Sequence, residues 1–145
     1  MMPIKTLLLC FVALLAGCER SQQIPKEFSG HFVSDRDATI ARWSETRPWG
    51  EKTATIIEKL GPVLGTTEVI TDGRNYRVIS GDWTEEGEAE FLSIEGTKAT
   101  VKTYSKVLER EVISTMEADD SGYWVCSDDP LKGYCERFTR KQPTE

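Results

Sequence analysis

The 145-residue sequence predicts a mainly β fold, a small antiparallel barrel of about eight strands with two helices inserted after the first strand. Three observations carry this. Short runs rich in β-branched and aromatic residues recur from Thr66 to the C-terminus, separated by Gly and Asp turn signals. The stretch from Ser34 to Pro62 instead repeats its apolar residues at helical spacing. One extended run, Phe28–Val33, precedes that stretch. Regular short strands with turns between them make a sandwich or a barrel, and eight strands enclose either side chains or one small ligand.

The elements follow in order. Phe28–Val33 (FSGHFV) reads as the first strand. Ser34 and Asp37 have the spacing of a capping box, with Asp in place of the usual Glu. They open a short helix that carries Ile40 and Trp43 on one face, and Pro48 interrupts it. Trp49, Thr53, Ile56 and Leu60 form the stripe of a second helix, which Gly61 and Pro62 end. Thr66–Thr71 (TTEVIT) and Arg74–Trp83 then read as two strands joined by an Asp72-Gly73 hairpin turn. Thr84–Gly87 reads as a turn, Glu88–Ile94 as a strand and Glu95-Gly96 as the next turn. Lys98–Lys106 alternates, with Ala99, Val101 and Thr103 on one face and Lys98, Thr100 and Lys102 on the other. Val107–Glu117 fits two periods: Leu108, Val112 and Met116 suit a helix, whereas Val112, Ile113 and Thr115 suit a strand. After a turn at Asp119–Gly122, Tyr123–Cys126 and Tyr134–Thr139 are the last two strands, joined by Ser127–Gly133.

At the N-terminus, Lys5 precedes an apolar run, Thr6–Ala16, of 11 residues. As a helix rising about 1.5 Å per residue it spans roughly half of a hydrocarbon core ~30 Å thick, the size of a signal-peptide core. Leu15-Ala16-Gly17-Cys18 then resembles the lipobox of bacterial lipoproteins. The resemblance implies cleavage before Cys18, diacylglycerol on its thiol and a further acyl chain, such as palmitate, on its new amino group. Two or three chains hold a protein on a membrane where one does not. Glu19 rather than Asp follows the Cys, which implies the outer membrane and a domain facing the periplasm. The chain divides accordingly into a signal peptide (1–17), a lipidated Cys with a polar tether (18–26) and one domain (27–145).

Charge and cysteines bound the partners. The sequence has 18 Lys and Arg against 24 Asp and Glu, and loss of Lys5 takes the formal charge from −6 to −7. An acidic domain lacks the counterion-release drive for nucleic acid, while a basic protein partner suits it. Cys10 leaves with the signal, Cys18 carries lipid, and Cys126 and Cys135 remain as a pair in an oxidising compartment. Their disulfide closes a ring of about ten residues, for a chain-entropy stabilisation of ~2.7 kcal/mol. The spacing suits neither a zinc knuckle nor a redox Cys-x-x-Cys.

A second resemblance lies on the outer strands of the sequence. Gly30-His31-Phe32 is similar to the Gly-x-Trp of lipocalins, with Phe32 in place of Trp, and Arg137 lies on the last strand, where lipocalins place an Arg over that Trp. Two helices after the first strand look like those of the fatty-acid-binding relatives. The resemblance implies a lipocalin-like barrel with an interior for a small apolar ligand.

No catalytic residue, metal or cofactor is expected. His31 is the only histidine and no Gly-x-Ser-x-Gly elbow exists, so neither a Ser-His nor a free Cys-His site assembles. His31 reads as a strand residue with a satisfied hydrogen bond. Asp35, Asp37 and Thr39 begin like a calcium loop, but Ile40 and Thr46 stand where Gly and Glu are needed. Asp119-Asp120 and Asp128-Asp129 read as solvated turns. Glu85, Glu86, Glu88 and Glu90 form an acidic edge that guards the sheet or faces a basic partner. The expected function is a non-enzymatic binding domain, anchored through Cys18, that holds a small apolar ligand bordered by Trp43, Trp49, Ile56 and Leu60. The alternative is an interaction or inhibitor module for a basic envelope protein, similar to periplasmic lysozyme inhibitors.

Overall fold

The computed structural model describes residues 23–142; the apolar run, the lipobox and Cys18 lie outside the described residues. Nine strands form one antiparallel sheet: β1 (Gly30–Ser34), β2 (Thr67–Asp72), β3 (Asn75–Ser80), β4 (Trp83–Glu88), β5 (Glu90–Glu95), β6 (Lys98–Ser105), β7 (Arg110–Ala118), β8 (Gly122–Ser127) and β9 (Tyr134–Arg140). Two α-helices, α1 (Arg36–Thr46) and α2 (Thr53–Leu60), lie between β1 and β2, with a 3₁₀ turn at Gly50–Lys52 between them. The strand order is β4-β3-β2-β1-β9-β8-β7-β6-β5, and the sheet curls into a nearly closed barrel, consistent with a calycin-like fold.

The count is nine rather than about eight, and the difference sits at Gly81-Asp82. Ser80 pairs with Trp83, so these two residues are a hairpin loop inside the run read as one strand, and Thr84–Gly87 belongs to β4 rather than to a turn. The β2–β3 loop is likewise Gly73-Arg74, one residue later than expected, because Asp72 pairs with Asn75. In both loops, and in Gly96-Thr97 between β5 and β6, a Gly with φ of 61–63° takes the first position. That backbone twist matches the twist of the flanking strands and is open to Gly without strain. The ambiguous run is a strand: Val112, Ser114, Met116 and Ala118 of β7 turn inward while Ile113, Thr115 and Glu117 are exposed.

Ala89 alone separates β4 from β5, so one extended run passes from the β3 edge of the sheet to the β6 edge. No backbone ladder joins those edges. Side chains bridge them instead: the Glu85 carboxylate accepts the Lys106 N–H at 2.8 Å, and the Tyr76 hydroxyl donates to the Tyr104 carbonyl at 3.3 Å. The core lies at the end of the barrel that holds the β2–β3 turn. There Ile24 and Phe28 fold under Phe32, Tyr123 and Phe138, and the Ile24 N–H donates to the Gly73 carbonyl. Residues 24–26, read as the end of the tether, thus join the packed body.

The other gap in the ladder is filled by α1. β1 pairs with β9 only as far as Ser34 opposite Phe138, which leaves the lower-numbered half of β9 without a strand on the edge away from β8. The Arg137 N–H donates to Thr39 Oγ1 at 3.0 Å, and Trp43 Nε1–H donates to the Cys135 carbonyl at 2.7 Å. Thr39 and Trp43 are one helical turn apart, and Arg137 and Cys135 are alternate residues on one strand edge, so the two spacings match. Both helix residues are almost completely buried, at 0% and 1% exposure. The helix cap is Asp35, not Ser34: its carboxylate accepts the Ala38 N–H at 3.0 Å. Ser34 instead turns inward, donating to Glu136 and accepting the Gly65 N–H.

Thr39→Val keeps shape but leaves the Arg137 N–H without an acceptor, and is expected to cost about 1–3 kcal/mol in urea unfolding. Thr46→Val, whose hydroxyl bonds the Arg42 carbonyl at the surface, should change stability by less than about 0.5 kcal/mol.

Candidate functional site

The inward faces of the strands line a half-open cavity of about 230 Å³. Its walls follow from strand alternation. Val69, Val78, Val101 and Val125 occupy inward positions on four strands, and Phe91 and Met116 complete the wall. Ile24 and Phe28 close one end beside Tyr123 and Phe138. Its hydroxyls are those of Thr67, Thr71, Tyr76, Thr103, Ser114 and Tyr123, and no charged side chain lines it. The face expected from Lys98–Lys106, with Ala99, Val101 and Thr103 together, is the inner face. Ser114 and Met116 were hidden in the run whose period was ambiguous.

The four residues expected to border a cavity do not line this one. Trp43 is spent on β9, with its ring 5.0 Å from Trp49 and 5.4 Å from Tyr134. Trp49 lies in the turn before α2 rather than in it, and its indole N–H donates to the Lys132 carbonyl. Ile56 and Leu60 are partly buried on α2, outside the cavity lining. Helical periodicity identified a packed face, but the cover it packs against is the β9 edge and the β8–β9 loop.

Cys126 and Cys135 are direct cross-strand partners and form the expected disulfide. The Gly-x-Phe motif has a clear geometry. Phe32 is fully buried, and the Arg140 guanidinium lies 4.7 Å above its ring while donating to the Ser29 carbonyl at 2.8 Å. Arg140, not Arg137, is the arginine over the aromatic ring. Gly30 has φ of 127°, and a Cβ there would meet Arg140 Nη1 at 2.6 Å, so Gly is needed for both backbone and access. Arg137 turns to the outer face, where it donates to Asp119 and Ser121 and lies 5.9 Å from the Trp124 ring, which Arg42 also covers at 4.5 Å.

The remaining candidates have structural partners. His31 Nε2 sits 3.5 Å from the Glu68 carboxylate, at the outer limit of hydrogen-bond distance. The Lys141 ammonium bonds the same carboxylate and holds it below its ordinary pKa. Asp128 accepts the Gly133 N–H, and Asp129 pairs with Arg110. In the acidic edge, Glu86 pairs with Arg77 and Glu90 with Lys102, while Glu85 is buried on Lys106. That leaves less unpaired negative charge for a basic partner than the sequence suggests.

No protein-family model, curated protein or solved structure matches the chain.

The Arg137 side chain hydrogen-bonds Asp119 and holds its carboxyl well below the ordinary aspartate range, against the opposing effect of burial. A folded pKa below the unfolded one contributes stability that is present above about pH 4 and lost as the pH falls. Asp119→Asn should therefore lower the urea midpoint at pH 7, and the gap from the parent should narrow at pH 3. Surface exposure of Asp119 keeps the effect modest.

Proposed function

We propose that the protein is a non-enzymatic binding domain of the bacterial cell envelope, a lipocalin-like barrel that carries a small apolar ligand in its interior. The observation that carries this reading is the apolar cavity of about 230 Å³ inside the barrel. A dry cavity of ~150 Å³ is enough to bind benzene or xenon, whereas drug-sized ligands use ~300–1,000 Å³. The volume therefore suits a molecule a little larger than benzene. The Arg140–Phe32–Gly30 arrangement supports the lipocalin-like reading, since it reproduces the arginine-over-aromatic contact with Phe in place of Trp.

Anchorage rests on Leu15-Ala16-Gly17-Cys18 and the apolar run before it. The lipid on Cys18 holds the domain at the outer membrane, on the periplasmic side. Only Glu19–Gln23 separate Cys18 from the packed Ile24, a reach of at most about 18 Å. On this reading the barrel end plugged by Ile24 and Phe28 lies next to the bilayer.

Two measurements test the proposal. In a bacterial host the parent chain should partition into detergent with a mass that shows loss of residues 1–17 and acylated Cys18, and Cys18→Ala should lose the acyl mass and keep the leader. The Cys18→Ala chain should gain thermal stability in benzene-saturated buffer, and Ser114→Leu, which fills part of the cavity, should remove most of that gain. A parent chain without lipid would overturn the anchor, and a melting temperature indifferent to benzene would overturn the cavity reading.

A further inference from the structure

The chemistry inside the barrel narrows the class of ligand, on the reading that the cavity is the binding site. Tyr123 is 3% exposed and lines the cavity. Its ring is fixed by stacking on Phe138 at 5.6 Å and by edge contacts with Phe28 at 5.8 Å and Phe32 at 4.7 Å. Its hydroxyl makes no hydrogen bond among the described residues. The side-chain polar atoms there that are both unpartnered and sealed from solvent are His31 Nε2 and Arg137 Nη1. Neither atom belongs to the cavity lining, which Tyr123 helps to form. A buried tyrosine hydroxyl ordinarily finds a partner, because an unmet donor loses its hydration and gains nothing in return.

No charged side chain lines the cavity, and the Arg140 guanidinium near this end lies over Phe32 and donates to the Ser29 carbonyl. Burial and then the field of Glu136 push the Tyr123 hydroxyl above the ordinary tyrosine range, so it remains a proton donor at neutral pH. Glu136 accepts the Ser34 and Tyr134 hydroxyls, and no hydrogen bond joins it to Tyr123. Glu85, the buried carboxylate at the seam, takes the Lys106 N–H and has no cation partner.

We propose that the cavity takes a neutral molecule, an apolar body with one hydrogen-bond-accepting oxygen that meets the Tyr123 hydroxyl, and that it rejects carboxylates. Scaled from benzene in a ~150 Å³ cavity, the volume admits roughly nine non-hydrogen atoms. A ketone, ether or alcohol oxygen exchanges a water hydrogen bond for the phenol at little desolvation cost. A carboxylate would enter a site lined by no cation, which penalises it by desolvation.

The test uses the full chain carrying Cys18→Ser, held in the same mild detergent throughout because it keeps the apolar run Thr6–Ala16, and three probes of matched size and shape. Acetophenone has the acceptor oxygen, α-methylstyrene replaces that oxygen with a methylene, and benzoate replaces the methyl with a charged oxygen. At pH 7 calorimetric or NMR titration should show binding of the first two and none of benzoate at the same concentrations. Tyr123→Phe should weaken acetophenone by about threefold to tenfold. It should leave α-methylstyrene unchanged, which also reports that the variant is folded with its cavity intact. Equal effects of Tyr123→Phe on both neutral probes, or benzoate binding as well as acetophenone, would overturn the proposal while leaving the cavity reading standing. Binding of none of the three would overturn both.

Discussion

The arrangement depends on how the unpaired half of β9 is satisfied. A barrel edge with free N–H and C=O groups buried under other chain is costly, since each unmet group forfeits its hydration. Here β1 stops at Ser34, and Asp35 gives the last backbone bond, its N–H donating to the Arg137 carbonyl at 2.8 Å. From there the helix takes over as a surrogate strand. Thr39 uses its hydroxyl twice, donating to the Asp35 carbonyl and accepting the Arg137 N–H. Trp43 supplies the next bond and most of the cover. Once α1 is committed to this edge, its apolar face is unavailable to the interior. The two tryptophans therefore pack on the hairpin that the disulfide crosses, and the cavity is walled by strands.

The second discontinuity, between β4 and β6, is handled differently. The chain itself crosses from one edge to the other through Ala89, and the Glu85 carboxylate and the Tyr76 hydroxyl bridge what the backbone leaves open. Glu85 thereby leaves the acidic edge to become a buried acceptor. This shifts the weight of the functional argument inward. At the acidic edge Glu86 and Glu90 pair with Arg77 and Lys102, while the interior keeps a void lined by a phenol with no partner among the described residues. A site defined by shape, with one polar group to orient its occupant, has the character of a small-ligand pocket more than of an electrostatic docking face.

Much of the architecture could be read from local signals. Strand alternation at Ala99, Val101 and Thr103 named an inner face, Gly61-Pro62 ended α2, and the two late cysteines paired. The readings that shifted did so where two local signals competed. Gly81-Asp82 and the glutamates after Trp83 both resemble turns, and only the pairing of Ser80 with Trp83 decides between them. Arg137 and Arg140 sit on the same strand, but they face different neighbours, and the register Phe32 to Arg140 selects which one covers the aromatic ring. Of the cavity lining, Val101 and Thr103 were visible as alternating residues, whereas Tyr123 as a donor without a partner among the described residues was not.

The sequence by itself determined the β-rich composition, the helical insertion, the disulfide pair and the apolar run Thr6–Ala16, because each depends on residues close together or on a fixed local period. Only the tertiary structure decided that α1 completes β9 rather than bordering the interior, that Arg140 lies over Phe32, and that Tyr123 meets a void. Those outcomes depend on register between strands far apart in the chain and on which side chains reach a given backbone group first. A one-residue change of register exchanges the two faces of a strand, and no local pattern carries that information across the loops.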